Sequence, residues 1–416
     1  MREGWKQVTI GDLGQVITGN TPPRKQPELY GNHTLFVKPT DMEVDKKYCY
    51  NPEEKYSEKG FIKYKKSIIP KGSTCVVTIG SIGQKMIKAH KELFINQAVN
   101  AVVPNNLYDE DFVYYLLKLN LFQLKTFDSG TASGRENVSK SSFSNIKLVV
   151  PASKEKQHKI GSILSTYDDL IENNLKRIKL LEEKSQLTYE EWFVKMRFPG
   201  YETAKFDEVT GLPEGWDRKN FGELTEAMQY GYTESASNEP IGPKFLRITD
   251  IVGFNINWEN VPYCPISDKE KSKYLLKEGD IVIARTGATV GYAKRINKNC
   301  PEAVFASYLI RLKLKPEIDD VMMGVFVESN SFVKTVQSMA GGAAQPNANA
   351  PTLRQIEMIV PNNETQRKFR HLVIKLKDSQ QILLNQNRLL KEARDILLPR
   401  LMSGMIDVEQ LENIKG

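Results

Sequence analysis

The stretch WKQVTIGDL at residues 5–13 returns as WDRKNFGEL at residues 216–224, so Trp5, Gly11 and Leu13 reappear as Trp216, Gly222 and Leu224, each displaced by 211 positions. The correspondence runs on in order. Thr40 and Asp41 match Thr249 and Asp250, Gly72 and Gly80 match Gly279 and Gly287, and Asn137, Ile146, Val150 and Pro151 match Asn347, Ile356, Val360 and Pro361. Offsets drift only between 207 and 211, which identifies a tandem duplication of a whole domain rather than a solenoid of short units.

Within each half the texture changes once. Residues 1–151 and 212–361 are rich in Gly, Pro and Asn and carry short β-type runs such as CVVTI (75–79), AVNAVVP (98–104), DIVIA (280–284) and YLIRLKL (308–314). A helix is expected around Asp109–Leu121 and its counterpart around Asp319–Ser329. Each half then closes with Pro and a long helical stretch, 155 to about 197 and 364 to about 398; at ~1.5 Å per residue the first spans ~60 Å. The expected class is α+β: two pseudo-symmetric β-rich domains, 1–151 and 212–361, each followed by a long helix, in segments 152–211 and 362–416.

Positions 160, 164, 167, 171, 174, 178 and 181 read Ile, Leu, Tyr, Ile, Asn, Ile, Leu, the alternating three- and four-residue steps of a coiled-coil seam. Asn174 interrupts it, and Asn385, flanked by Ile382 and Leu389, is its expected counterpart beside Ile171 and Ile178. An Asn in an apolar seam fixes register, since its amide is satisfied only opposite a polar partner; the alternative is an Asn on a solvated face. On the seam reading, the helices pair within one molecule.

The chain has 416 residues, 58 Lys+Arg against 51 Asp+Glu, and 40% hydrophobic residues, a composition that excludes a disordered or collagen-like chain and permits a polyanionic partner without requiring one. Its cysteines, Cys49, Cys75, Cys264 and Cys300, form no C-x-x-C pair and point to reduced thiols. The charged opening MREGWKQVTIGDL and the absence of a long apolar run lead to the expectation of a soluble, cytoplasmic protein with no membrane partner.

Catalytic signatures are missing. GSIGQK at Gly80 and GATVGYAK at Gly287 lack the spacing of a phosphate-binding loop, and His33, His90, His158 and His371 are scattered with no metal-binding or nucleophile motif around them. Asn51–Pro52 is followed by Glu53 and Glu54 rather than by the aromatic that a base-methylating motif uses. No cofactor, metal or catalytic residue is expected.

Polar groups that suit nucleic acid do recur. VTIGSIG (77–83) and ARTGATVG (284–291) place small and hydroxyl residues where backbone can approach a surface, with Thr78, Ser81 and Lys85 in the first half and Arg285, Thr286 and Thr289 in the second. Arg285 suits a phosphate or the O6/N7 edge of guanine; the alternative is a tight turn without a ligand. A second class follows the first strand of each half: Thr18, Asn20, Thr21 and Arg24 in ITGNTPPRK, and Tyr230 and Tyr232 in QYGYT. A third precedes the long helices: Thr131, Ser133 and Arg135 in GTASGRENVS, and Gln345 and Asn347 in GGAAQPNAN. Lys38 and Arg247 complete the candidate DNA-binding set. The halves agree at framework positions and differ at these, as expected if one scaffold reads two sequences.

Together these residues give the chain a family likeness. The tandem halves, LPEGW at Leu212–Trp216 running into W-x-x-x-x-x-G-x-L, the paired glycines at Gly72/Gly80 and Gly279/Gly287, and the closing LLPRLMSGMIDV at Leu397–Val408 resemble the DNA-specificity subunit of Type I restriction-modification systems over nearly the whole length. The resemblance implies two target-recognition domains, each reading half of a split sequence in double-stranded DNA, separated by an antiparallel helix pair acting as a spacer. It further implies binding to two methyltransferase subunits and to restriction/motor subunits that supply the chemistry. The competing reading is a duplicated protein-interaction scaffold without DNA specificity; a self-contained nuclease is disfavoured for want of a carboxylate cluster.

Overall fold

The computed structural model describes residues 3–127, 136–341 and 347–409. Thr131, Ser133, Arg135 and Gln345 lie outside them. The chain divides into two compact units, residues 1–175 with 384–416, and residues 176–383, so each unit takes part of both long helices.

The repeated opening string folds the same way twice. A strand (Trp5–Thr9, Asp217–Asn220) runs into a one-turn helix (Ile10–Leu13, Phe221–Leu224). The cap residue accepts from the N–H three positions on, Asp12 to Thr9 Oγ1 at 3.2 Å and Glu223 to Asn220 Oδ1 at 3.1 Å. The carboxylates accept in return from the cap N–H groups at 2.7 and 2.9 Å, so donors that a helix start leaves orphaned are satisfied. Leu13 and Leu224, the last residue of the motif, are fully buried.

Each unit then builds a four-stranded antiparallel sheet in the same spatial order. In the first it is Gly14–Thr18, Val99–Pro104, Thr74–Val77, Met86–Lys88; in the second, Thr225–Tyr230, Leu309–Leu314, Ile281–Ala284, Ala293–Arg295. The central strands TCVV and IVIA are buried at every position, which is why they read as continuous apolar runs. A small sheet with a parallel pairing accompanies each: Tyr30–Val37 beside Phe94–Ile95, and Lys244–Leu246 beside Ala303–Phe305. Two-stranded ladders close the halves, Trp5 opposite Pro151 and Asp217 opposite Val360.

The helices Glu110–Asn120 and Asp320–Val327 are capped by Asp109 and Asp319. The same two aspartates receive the long helices. Gln157 accepts from the Asp109 N–H at 3.1 Å and donates to the Pro151 carbonyl at 3.0 Å; Gln366 does the same with Asp319 and Pro361, both at 2.9 Å. Both glutamines are buried, and each satisfies two backbone groups at once. Charge reinforces the second joint, where Arg370 pairs with Asp319 and Asp320 and Arg295 also reaches Asp320. Burial pushes the Asp320 carboxyl up, but Arg295 and Arg370 more than reverse this and hold it below its usual value.

The long helices are Lys154–Tyr189, continued by a π-turn at Glu190–Val194, and Asn363–Met402. They run antiparallel within each unit. In the first, Asp168 meets Arg394 and Asn174 meets Asn387; in the second, Glu182 meets Lys377 at 2.7 Å and Gln380 donates to the Ile178 carbonyl at 3.3 Å. Ile171, Asn174 and Ile178 are buried on the first helix.

The expected seam on the second helix is corrected. Ile382 is 58% exposed, Leu389 is 55% exposed, and Asn385 is exposed as well. The buried positions are Leu376, Gln380, Leu383 and Asn387. Two asparagines stand two residues apart in LLNQNRLL, and two residues turn an α-helix by about 200°, so choosing the other one selects the opposite face. Asn174 Nδ2 donates to Asn387 Oδ1 at 2.9 Å, and Asn387 Nδ2 donates to the Ile171 carbonyl at 3.2 Å.

Asn174→Leu or Asn387→Leu alone strands a buried amide and is expected to lower stability by about 1–3 kcal/mol, while the double substitution recovers most of the loss. A double-mutant cycle by denaturant unfolding checks this; additive losses contradict it. Acid unfolding supplies a second check. Asp320, with its pKa lowered, contributes stability above its unfolded value of 3.8 that is lost as pH falls through the lower folded value. Asp320→Asn is therefore expected to reduce the thermal midpoint at neutral pH and to shrink its decline below pH 3.8, read from melting curves across pH.

Candidate nucleic-acid interface

The three loop classes that carry the candidate residues are far apart in sequence, and in each unit the fold brings them to one place. In the first, Gly19 N–H donates to the Val99 carbonyl, Thr78 N–H to Ala98 and Val138 N–H to Thr78, and a bridge joins Ile79 to Asn137. In the second, Gly231 N–H donates to Leu309, Arg285 N–H to Tyr308 and Ala348 N–H to Arg285, and a bridge joins Thr286 to Asn347. The end of the first strand, the glycine loop and the segment before the long helix thus form one cradle, built twice on the same backbone bonds.

Glycine is required there for two reasons. A Cβ on Gly19 or Gly231 would sit 2.1 or 2.2 Å from the carbonyl oxygen of Ile95 or Ala306, so only glycine allows that approach. Gly80 and Gly287 adopt φ of +88° and +71°, a left-handed conformation that side chains disfavour.

The side chains on the two cradles differ. In the first, Thr18 Oγ1 donates to Asn100 Oδ1 at 2.6 Å and Asn100 Nδ2 donates to Thr78 Oγ1 at 3.0 Å. Asn100 and Thr78 are buried, so the assignment of Thr78 as a DNA contact is corrected: its hydroxyl satisfies a buried amide inside the sheet. In the second cradle, the equivalent positions hold Tyr230 and Arg285. The Arg285 guanidinium lies over the Tyr230 ring, 4.7 Å from its centre, and donates weakly to Asn347 Oδ1 at 3.3 and 3.4 Å. Tyr230 is 38% exposed, and its hydroxyl accepts from the Ala350 N–H at 3.1 Å.

Other expected contacts are engaged within the fold. Arg24 pairs with Glu54 and covers the Tyr30 ring; Lys38 pairs with Glu53 and Glu54 at 2.9 and 3.3 Å. Lys85 donates to the Pro39 carbonyl at 3.0 Å, and Arg247 grips Asp250 through Nε and Nη2, both at 3.0 Å. Their charges are thus directed at scaffold groups. Tyr232 packs beside Tyr274 and its backbone joins the small sheet, and Thr289 donates to the Thr286 carbonyl at 3.4 Å. Asn20 and Thr21 are exposed, Thr21 bonded to Gln97, and Ser81 is half-buried in the glycine loop.

Asn100 and Tyr308 were missed in the sequence. Asn100 had a signal, as a polar residue inside the apolar run AVNAVVP that needs a partner when buried. Tyr308, 58% exposed beside Arg285, had none. Among the described residues no group of three or more His, Cys, Asp or Glu is placed to hold a metal ion, and no helix is long and apolar enough to cross a membrane.

Thr78→Ala is expected to strand the Asn100 amide and destabilise the protein by about 1–3 kcal/mol without altering base preference. Calorimetry beside a DNA-binding profile tests this; changed base preference at unchanged stability would reinstate Thr78 as a reader.

Comparison with known proteins follows the repeat. The family model for the Type I restriction modification DNA specificity domain matches residues 2–183 and again residues 213–391. The Type I restriction enzyme MjaIX specificity subunit of Methanocaldococcus jannaschii is 26% identical, with 98% of this chain and 94% of that protein covered. The MjaVIII specificity subunit of the same organism is 28% identical, with the same 98% and 94% covered. The crystal structure of the S subunit of a Type-I restriction-modification system from M. genitalium shares the fold at TM-score 0.58 and 18% identity, over 95% of this chain and 96% of that one. With the domain matched twice, the chain belongs to the Type I restriction-modification DNA-specificity family.

Proposed function

We propose that this chain is the non-catalytic, DNA-reading subunit of a Type I restriction-modification complex acting in the cytoplasm, with residues 1–151 and 212–361 as recognition domains that each read one half of a bipartite target. The observation that carries this reading is the repeated cradle: the same backbone bonds appear in both halves, but at the positions where one half has Thr18 and Thr78, closed onto buried Asn100, the other presents Tyr230 and Arg285. A shared frame with different polar groups suits two different half-sites.

The long helices act as the spacer and as the seat of two methyltransferase subunits, with restriction/motor subunits joining for cleavage. Ile382, Leu389 and Ile396 support this second role, since they are exposed at seven-residue spacing on one helix. Such a stripe is the pattern by which a helix docks on another protein surface.

Removing one register-matched heptad from each helix, residues 171–177 and 384–390, shortens the pair by ~10 Å. With ~3.4 Å per base pair, the unread spacer of the target is expected to shrink by about three base pairs while both half-sites stay the same. Mapping methylated adenines in cells that carry this chain and its methyltransferase partner measures the outcome. An unchanged spacer would falsify the ruler.

A further inference from the structure

Arg285 differs from the other arginines among the described candidates, and from Lys38; Lys85, also without a carboxylate, is bonded to the Pro39 carbonyl. Arg24, Lys38, Arg247 and Arg295 are each paired with a carboxylate, whereas no carboxylate pairs with Arg285 among the described residues. Its guanidinium has the Tyr230 ring 4.7 Å from its centre, and Nε and Nη2 share the single oxygen of Asn347 at 3.4 and 3.3 Å. The ring contact and the shared Asn347 bond restrain the guanidinium from two sides, and the weak, shared bond leaves donor capacity unused. Tyr230, Asn347 and Tyr308 around it are all exposed.

From this geometry we propose that Arg285 is the specificity-determining residue of the second domain and that its half-site carries an obligatory guanine, whose O6 and N7 accept the two parallel donors of the guanidinium. The inference rests on the DNA-reading function proposed above. A planar cation whose orientation is set before binding matches two acceptors on one base edge, while a phosphate asks only for charge. Tyr230 is the positioning residue: it holds the plane without touching the base. At the equivalent position the first domain carries Thr78, which is buried and bonded to Asn100.

The test uses the full chain with its methyltransferase partner, first by mapping methylated adenines and then by gel shift on duplexes carrying the mapped target. Exchanging residues 1–151 for another recognition domain identifies which half-site belongs to the second domain. Wild type is expected to bind a duplex with the critical guanine replaced by adenine about 5- to 150-fold more weakly, the usual discrimination of a bidentate arginine–guanine pair. Arg285→Ala and Arg285→Lys are both expected to bring that ratio near one and to relax the single position, leaving the first half-site intact. Tyr230→Leu should lower the ratio, and Tyr230→Phe should restore it.

A phosphate contact gives a different result and overturns the proposal. Arg285→Lys would then keep full discrimination, and Arg285→Ala would weaken all duplexes alike with a salt slope smaller by about one. A second half-site without an invariant guanine overturns it too. If wild type directed no bipartite methylation at all, the proposed DNA-reading function itself would fall, which separates that failure from an error about Arg285.

Discussion

Each long helix is fixed to the domain that precedes it, and the joint is a buried amide. Gln157 and Gln366 each bridge the last strand of a domain, through a proline carbonyl, to the aspartate-capped start of the domain's helix. Without the glutamine, a carbonyl and an N–H would be buried unpaired, a cost of a few kcal/mol in a protein whose whole stability is of order 10 kcal/mol. The joint is also directional, since two hydrogen bonds at opposite ends of one planar amide leave the helix little freedom to rotate about its axis.

Beyond the joint, the two units solve the same packing problem with different chemistry. The first buries Asp168 against Arg394, with Tyr115 donating to the same aspartate at 2.5 Å, and sets an Asn174–Asn387 layer nearby. The second places Lys377 against Glu182 and Glu328, and it buries Ile178 and Leu383. A buried ion pair contributes little net stability over an apolar one, but a mismatched partner is costly. Unlike layers along one helix pair therefore specify which stretch of one helix meets which stretch of the other. Duplication supplied the frame, and divergence gave each part of the seam its own code.

Backbone and side chains play separate parts within each cradle. The backbone bonds that hold the three loops together are common to both halves, so the side chains at the rim can change without loss of the frame. Thr78 and Arg285 occupy one position in that frame. Burial turned the first into part of the sheet, and the nearby Tyr230 ring kept the second oriented at the surface.

Repeats and strand runs were legible in the amino-acid sequence because they depend on local physics. The W-x-x-x-x-x-G-x-L string encodes a strand, a capped turn and a buried leucine, and TCVV and IVIA announce buried strands by composition alone. The helix caps at Asp109 and Asp319, and the seam of the first long helix through Asn174, follow from the same short-range rules. The sequence by itself therefore determined the duplication, the class of fold and the family. Tertiary structure alone decided which face of the second helix is buried, since Asn385 and Asn387 differ only in direction. It also decided which candidate cations are engaged, since Arg24 and Lys38 find their carboxylates through contacts distant in sequence, whereas Arg247 pairs with Asp250 only three residues on. A polar side chain's role depends on what faces it across the fold, and only the closed chain sets that.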